Sequence, residues 1–182
     1  MKKNCLGKTG IYVSQLGFGA SPFGNIYNTK VNQKSANSMI EIAIENGINY
    51  FDVAPYYGLG LAEEKLGKAL PKNTNNLIIS TKVGRYGVNE FDFSIKKIKE
   101  SVTTSLKRLK RDYIDILICH DIEFVDKKII LDQALPYLNG RVGAATQPTN
   151  AGVECGHTVL EANHTVSQRG APRVMHVHGD LV

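Results

Sequence analysis

Short apolar runs alternate with helical patterns along residues 1–140. The segment LGKTGIYVSQLGFG indicates a small hairpin followed by a strand near Leu16 to Gly19, with glycine-containing turns between them. The runs INYFDV, NLIISTKV and DYIDILICH have the length of single strands and are bounded by turn residues, which is typical of buried parallel strands.

Helical patterns separate these runs. SANSMIEIAIENGIN has apolar residues on one helical face, LAEEKLGKAL is a short helix that Pro71 ends, and FSIKKIKESVTTSLKRLK is the clearest helix, with Ser94 as its N-cap. DKKIILDQALPYL begins a fourth helix. Four strand–helix units of about 30 residues each predict a parallel sheet covered by helices. The apolar face of the first helix consists of Met39, Ile40, Ala43 and Ile44.

The composition of the chain changes after Gly140. Residues 1–140 contain sixteen lysines and all fourteen aromatic residues, whereas residues 141–182 contain no lysine and no aromatic residue but four of the five histidines. The second segment also lacks a sustained helical or strand periodicity. We therefore expect a folded part at 1–140 and a divergent, disordered tail at 141–182, because the tail has almost no residues that could anchor a core.

The overall composition is that of an ordinary globular protein, with 42% hydrophobic and 21% charged residues. The net charge of +5 comes from lysines dispersed along the chain, which argues against nucleic-acid binding. No apolar run approaches the roughly 18 residues of a membrane helix. The first residues, MKKNCLGKTG, lack the apolar region of a signal peptide. We expect a cytoplasmic protein without membrane or nucleic-acid partners.

The cysteines and histidines form no recognisable metal site. Cys5, Cys119 and Cys155 are an odd set without CxxC spacing, so neither a disulfide framework nor a zinc site is expected. His157, His164 and the segment MHVH are not accompanied by an acidic or cysteine ligand set at recognisable spacing. We predict that the chain holds no metal.

Reactive polar residues stand at the ends of three successive apolar runs. Asp52 ends the second predicted strand, Lys82 the third and His120 the fourth. Tyr57 lies in the loop just after the second strand. Because the carboxyl ends of parallel strands meet at one face, these four side chains are expected to converge. Each alone has a plainer interpretation, as a strand cap, a packed aromatic, a solvated lysine or a structural histidine, but the repetition at successive strand ends favours a shared site.

The chemistry of these side chains is complementary. An ammonium close to a phenol favours the phenolate and lowers the pKa of the phenol, which eases proton donation. A carboxylate beside the ammonium keeps it charged and in place, and a histidine can orient a substrate oxygen. Such a site could protonate a carbonyl oxygen as a hydride arrives, or remove a hydroxyl proton in the reverse direction.

Four motifs follow one another as they do in one enzyme family. FDVAPYYG resembles the aldo-keto reductase signature, with Tyr57 five residues after Asp52 and Gly58 next. LGKTGIYVSQLGFGA resembles the opening hairpin and first strand of that family, and ISTKVG and YIDILICHD resemble its third and fourth strands. STKVGRYG, FDFS and HDIEF further resemble its L-galactose or aldose dehydrogenase branch. The resemblance covers residues 5 to about 140.

The resemblance implies a (β/α)8 barrel of TIM type that binds NAD(P)(H) and interconverts carbonyls and alcohols by hydride transfer. It also implies a small carbonyl compound or sugar as substrate. In the matching positions, Tyr57 is the general acid and base, and Lys82 and Asp52 lower its pKa. His120 positions the substrate carbonyl.

The same resemblance implies part of a cofactor site. Asp52 lies where the family has a residue near the nicotinamide. Gly19, Ala20 and Ser21 match, loosely, the segment that lines the cofactor. A full barrel takes about 250 residues, so the four units before the change at Gly140 are expected to be the first half of a barrel.

Two other functions remain open at this stage. The chain could be a truncated product without activity that at most associates with other chains. It could also be a regulatory binding subunit on the same fold, as the potassium-channel β subunits of the family are. The intact set of four side chains favours catalytic ancestry, whereas the unmatched residues 141–182 favour the truncated product.

Expressed alone, the chain is expected to show no measurable binding of NADH or NADPH. The main dinucleotide contacts of the family come from later strands, including a Ser/Asn pair, a Gln and a basic loop, and none of these is recognisable in residues 141–182. Fluorescence or calorimetric titration measures the binding. A saturable signal with either nucleotide would contradict the expectation.

Overall fold

The computed structural model describes residues 1–7, 9–26, 28, 30–142, 154–155 and 158–159. Nine short strands occur along these residues. They are β1 (Lys3–Cys5), β2 (Tyr12–Ser14), β3 (Phe18–Gly19), β4 (Tyr50–Asp52), β5 (Ile78–Val83), β6 (Tyr113–Ile114), β7 (Ile116–Cys119), β8 (Glu154–Cys155) and β9 (Thr158–Val159).

The main sheet is parallel, as the sequence predicts. Its strands lie in the order β3–β4–β5–β7–β9, and neighbouring strands are paired in parallel throughout. The strands β1 and β2 form the predicted antiparallel hairpin that precedes the sheet. A second, short parallel pair consists of β6 and β8.

Helices follow the strands of the sheet. Within the described residues, the strands are connected or followed by three regular helices, two 3₁₀ turns and one longer helical segment with a central π-helical stretch. They are the 3₁₀ turn Ser21–Gly24, α1 (Gln33–Glu45), α2 (Leu61–Ala69), α3 (Ile95–Leu109), the 3₁₀ turn Ile122–Phe124, α4 (Lys127–Ile129), the π-helical stretch Ile130–Ala134 and α5 (Leu135–Val142).

Local sequence signals account for the helix ends. Ser94 caps α3 as predicted, since its side chain accepts a hydrogen bond from the Lys97 N–H. Asn32 caps α1 in the same way, three residues before the predicted start of the helix. Of the apolar residues expected to share a face of α1, Ile40 is fully buried, whereas Met39 is 44% exposed. Only a narrow stripe of α1 faces the sheet, and Met39 lies outside it.

The two faces of the sheet carry different side chains because successive strand residues point to opposite sides. Phe51 and Ile79 point outward and pack with α1 and α2 in one apolar cluster. Leu117 points outward into a second cluster with α3 and the segment α4–α5. The opposite, inner face carries Tyr50 and Ile118, which pack against Val13 of the hairpin. The hairpin therefore covers the inner face, and the helices cover the outer one.

The predicted tail at 141–182 stays a prediction. Residues 141–142 are the last of α5, and β8 and β9 are the other described parts of this segment. The remaining residues of the segment, including its four histidines, lie outside the described residues.

The described residues contain no helix that is both long and apolar enough to cross a membrane. The same residues contain no cluster of three or more His, Cys, Asp or Glu side chains able to hold a metal ion. Cys5 and Cys119 are free thiols.

Gly67 of α2 packs directly against the backbone of α3. A Cβ at this position would lie 2.2 Å from the backbone oxygen of Arg108, and backbone cannot move aside as a flexible side chain can. We expect Gly67→Ala to lower the free energy of unfolding by about 1–3 kcal/mol, as overpacking does. Helix propensity alone would raise it by about 1 kcal/mol, so the sign of the change separates the two effects.

Chemical denaturation of the chain measures this difference. The matched control is Lys68→Ala at the exposed neighbouring position of the same helix, which should change the free energy of unfolding by less than about 0.5 kcal/mol. A Gly67→Ala variant more stable than the wild type would show that the two helices can separate without loss.

Candidate active site

The four side chains that the sequence singled out lie together at the carboxyl end of the sheet. Asp52 is the last residue of β4, Lys82 lies near the end of β5, and His120 directly follows β7. Tyr57 lies in the loop between β4 and α2. Because β4, β5 and β7 are adjacent and parallel, their ends meet at this edge.

Lys82 and Asp52 form a buried ion pair. The Lys82 Nζ donates to Oδ2 of Asp52 at 2.6 Å and to the backbone oxygen of Val53 at 3.1 Å. The side chain of Lys82 is 2% exposed and that of Asp52 is 16% exposed. Burial lowers the pKa of Lys82, but the Asp52 carboxylate and the Tyr57 oxygen outweigh it and hold the pKa above its ordinary value. Lys82 is therefore an ammonium at neutral pH.

Tyr57 lies beside this ammonium. The Lys82 Nζ is 5.3 Å from the centroid of the Tyr57 ring. The pKa of Tyr57 is raised, first because burial disfavours the phenolate; Lys82 opposes this, and the Asp52 charge adds to it. The expectation that Lys82 lowers the pKa is met as one contribution. The expectation that Asp52 lowers the pKa of Tyr57 is wrong for its direct charge effect: a carboxylate repels a phenolate, so the Asp52 charge raises this pKa.

His120 completes the group. Its ring meets the Tyr57 ring edge to face, with centroids 5.7 Å apart and planes at 89°. Burial, with the Lys82 charge as the second cause, lowers the pKa of His120 to about 4. Its Nδ1 is buried and has no hydrogen-bond partner among the described residues, and its Nε2 is 3.5 Å from Oδ2 of Asp121. His120 is thus a neutral imidazole at neutral pH.

The structure distinguishes the two adjacent tyrosines. The hydroxyl of Tyr56 accepts a hydrogen bond from Nη2 of Arg85 at 3.2 Å, and the guanidinium lies 4.0 Å from the Tyr56 ring centroid. The same guanidinium forms an ion pair with Asp121. Tyr56 is therefore held by Arg85, and Tyr57 is the phenol next to Lys82.

The residues expected to line a cofactor lie at the end of β3, next to β4. Gly19 pairs with Asp52 across the two strands, and a Cβ at Gly19 would meet no atom within 4 Å, so there is open space beside it. Ser21 begins the following 3₁₀ turn and is half-buried. Ala20 is different, because it is fully buried in the core and its N–H donates to the backbone oxygen of Asp52. A direct contact between Ala20 and a ligand does not fit this placement.

Sequence reasoning missed three residues of this site. Ser80 donates to Oδ1 of Asp52 at 2.6 Å, and Arg85 and Asp121 join the loops that follow β5 and β7. The strand alternation was a usable signal for Ser80, since it lies two residues before Lys82 and faces the same side. The motifs STKVGRYG and HDIEF contain Arg85 and Asp121, but nothing in the spacing pairs them.

The chain is similar in sequence to proteins named as sugar dehydrogenases and as a potassium channel subunit. The chain is 45% identical over 136 residues to L-galactose dehydrogenase of Arabidopsis thaliana, a match that covers 73% of this chain and 42% of that protein. It is 34% identical over 153 residues to D-threo-aldose 1-dehydrogenase of a Pseudomonas species, covering 71% and 46%. A protein named as a voltage-gated potassium channel beta subunit of Arabidopsis thaliana is 40% identical over 126 residues, covering 66% and 37%. The chain thus spans less than half the length of these relatives.

Solved structures confirm the fold class. An aldo-keto reductase of Bacillus halodurans, determined in its holo form, superposes with a TM-score of 0.69 at 29% identity over 88% of this chain and 50% of that one. The predicted TIM-barrel type of fold is therefore confirmed, as the parallel sheet and its outer helices indicate. Residues 15–142, well over half of the sequence, match the aldo/keto reductase family, and the chain belongs to that family.

Proposed function

We propose that this chain provides the proton-transfer residues of an NAD(P)-dependent oxidoreductase that interconverts a carbonyl and an alcohol, with an aldose or related sugar as substrate. The observation that carries the proposal is the buried Lys82 ammonium between the Asp52 carboxylate and the Tyr57 phenol. The sugar substrate is supported by two relatives whose names describe them as dehydrogenases of L-galactose and of D-threo-aldoses.

The residues at the end of β3 fit one side of a nicotinamide site. Gly19 has open space beside it, Ser21 is within reach of solvent, and Asp52 lies on the neighbouring strand. A bound NAD(P)(H) would supply or accept the hydride. These three residues would hold its nicotinamide end on the sheet side.

Tyr57 is the proton donor in the reducing direction. Burial keeps its pKa above the ordinary value, so the phenol is protonated at neutral pH and available to a substrate oxygen. When the proton leaves, the negative charge forms beside the Lys82 ammonium, which stabilises it. The Asp52 carboxylate keeps Lys82 charged despite its burial. In the oxidising direction Tyr57 must first lose its proton, and the phenolate, stabilised by Lys82, then accepts the hydroxyl proton of the substrate.

His120 orients the substrate oxygen without adding charge. As a neutral imidazole it offers one N–H donor, so it can hold a carbonyl oxygen near Tyr57. An imidazolium at this position would repel Lys82. The depressed pKa therefore suits a positioning role better than a proton-donating one.

Replacing the Tyr57 hydroxyl tests the proposal. In a chimera, residues 15–142 of this chain replace the matching segment of Arabidopsis L-galactose dehydrogenase, which supplies the remaining strands. We expect the chimera to reduce NAD(P)⁺ with a sugar, as followed by nicotinamide absorbance. Tyr57→Phe should lower kcat by about 10²–10⁴-fold, the usual contribution of a general acid and base. A folded chimera without sugar-dependent activity would contradict the proposal.

Tyr113→Phe is the matched control in the same chimera. Tyr113 is 40% exposed in β6, on a strand outside the main sheet, so loss of its hydroxyl should leave kcat unchanged. Equal losses in the two variants would show that the phenol at 57 has no special role.

The neutral state of His120 predicts a pH dependence of stability. An unfolded histidine takes up a proton near pH 6.5, whereas His120 in the folded chain does so at about pH 4. Unfolding therefore binds a proton between these values, and the free energy of unfolding falls as the pH falls from 6.5 to 4. The contribution of His120 to this fall is about 2–3 kcal/mol.

Urea denaturation of the 182-residue chain across this range measures the effect. His120→Gln should flatten the pH dependence by that amount, because glutamine cannot be protonated. Titrating groups that do not interact with His120 are common to both proteins and cancel in the difference. Parallel curves for the two proteins would mean that His120 titrates normally.

A further inference from the structure

A second set of hydrogen bonds lies beneath the Asp52–Lys82 pair. The hydroxyl of Ser80 donates to Oδ1 of Asp52 at 2.6 Å, while Oδ2 of the same carboxylate accepts from Lys82 at 2.6 Å. The hydroxyl of Tyr50 lies 3.1 Å from the Ser80 Oγ. Both oxygens of Asp52 are therefore engaged, each by a different residue of β5.

The donors in this set can be assigned from proton counting. An ionised carboxylate only accepts hydrogen bonds, so the single hydroxyl proton of Ser80 is directed to Asp52. The contact between Ser80 and Tyr50 then needs its proton from the phenol, and Tyr50 is the donor. Hydrogen bonds run in one direction, from Tyr50 to Ser80 to Asp52, and each donor in such a chain polarises the next.

Strand geometry places these residues on the inner face of the sheet. Tyr50 and Asp52 are two residues apart on β4 and therefore face the same side, and Ser80 and Lys82 do the same on β5. Asp52 is paired with Ser80 across the two strands. The hydrogen-bonded side chains therefore come alternately from β4 and β5, in the order Tyr50, Ser80, Asp52 and Lys82, towards the carboxyl end of the sheet. Ser80 is fully buried and Tyr50 nearly so, so the Ser80 hydroxyl reaches the carboxylate from the interior, whereas the Asp52 side chain itself is 16% exposed.

We propose that Ser80 is a positioning residue of the proton-transfer site, supported from behind by Tyr50, that fixes the Asp52 carboxylate so that it faces Lys82. This inference rests on the proposed function for its catalytic consequence. Without the Ser80 hydroxyl, Oδ1 of Asp52 would lose this partly buried hydrogen bond, and the carboxylate would be free to turn towards another donor. Lys82 would then lose the fixed partner that a buried ammonium needs, and the phenolate at Tyr57 would be less well stabilised.

The neighbouring residue Thr81 provides a matched control. Its hydroxyl donates to Oε1 of buried Glu63 at 2.7 Å, a bond of nearly the same length from the next position of β5. Thr81 points outward to α2 instead of inward to the site. Thr81→Val therefore removes a comparable hydrogen bond to a carboxylate without touching Asp52 or Lys82.

The first experiment uses the 182-residue chain and needs no activity. Urea denaturation of Ser80→Ala, Lys82→Gln and the double variant gives their unfolding constants. Ser80 and Lys82 share the Asp52 carboxylate, so the double variant should differ from the product of the single effects by at least about threefold. The cycle of Thr81→Val with Lys82→Gln should be multiplicative. Multiplicative effects in both cycles would overturn the inference.

The second experiment uses the chimera described above and separates positioning from simple stabilisation. Ser80→Ala should lower kcat about tenfold or more with KM little changed, since the lost bond is to a charged group and acts only on proton transfer. Ser80→Thr, which keeps the hydroxyl on a strand-compatible side chain, should restore kcat. Thr81→Val should lower stability and leave kcat unchanged.

The two experiments distinguish the failure of this inference from that of the proposed function. A chimera inactive with wild-type residues, together with a coupled Ser80–Lys82 cycle, rejects the oxidoreductase function but retains Ser80 as the residue that fixes Asp52. An active chimera in which Ser80→Ala behaves like Thr81→Val rejects the positioning role and retains the proposed function.

Discussion

The burial of the Lys82 ammonium is the constraint on which the rest of the site depends. A charge that is 2% exposed is strongly unfavourable in a protein unless a fixed counter-ion and hydrogen-bond acceptors surround it. Asp52 and the backbone oxygen of Val53 meet this need, and both come from the end of β4. The pairing of β4 with β5 is therefore also an electrostatic requirement: a slip of one residue would turn Lys82 to the outer, apolar face.

The outer face of β5 also contacts a buried charge that needs partners, the carboxylate of Glu63. Thr81, between Ser80 and Lys82, donates to Glu63 of α2, which also pairs with Arg108 of α3. Glu63 is fully buried, so this set of bonds ties the strand to two helices at one point. The polar residues of β5 thus alternate between the site and the helices, and both sets are hydrogen-bonded. A strand with this pattern has little freedom to shift, which keeps the inner residues in place.

Much of this arrangement can be predicted from sequence because strand periodicity and strand ends are local signals. Asp52, Lys82 and His120 end their strands, and parallel pairing brings such ends together. The burial of Ala20, the exposure of Met39 and the partnership of Arg85 with Asp121 depend on contacts between distant segments, which no spacing encodes. The direction in which the Tyr57 pKa is shifted also could not be predicted from spacing, because burial and two opposite charges, those of Lys82 and Asp52, act on it together.

The two cations of the site lie beside different tyrosines, Lys82 beside Tyr57 and Arg85 beside Tyr56. His120 is held neutral by burial and by the nearby ammonium, so it does not compete with Lys82 for the carboxylate of Asp52. Arg85, the other cation nearby, is bound to Asp121 and to the hydroxyl of Tyr56. Each cation thus has its own carboxylate and its own tyrosine. Of the tyrosines that the structure describes, only Tyr57 lies beside both the buried ammonium and the neutral imidazole, and this is why we propose Tyr57 and not its neighbour as the proton-transfer residue.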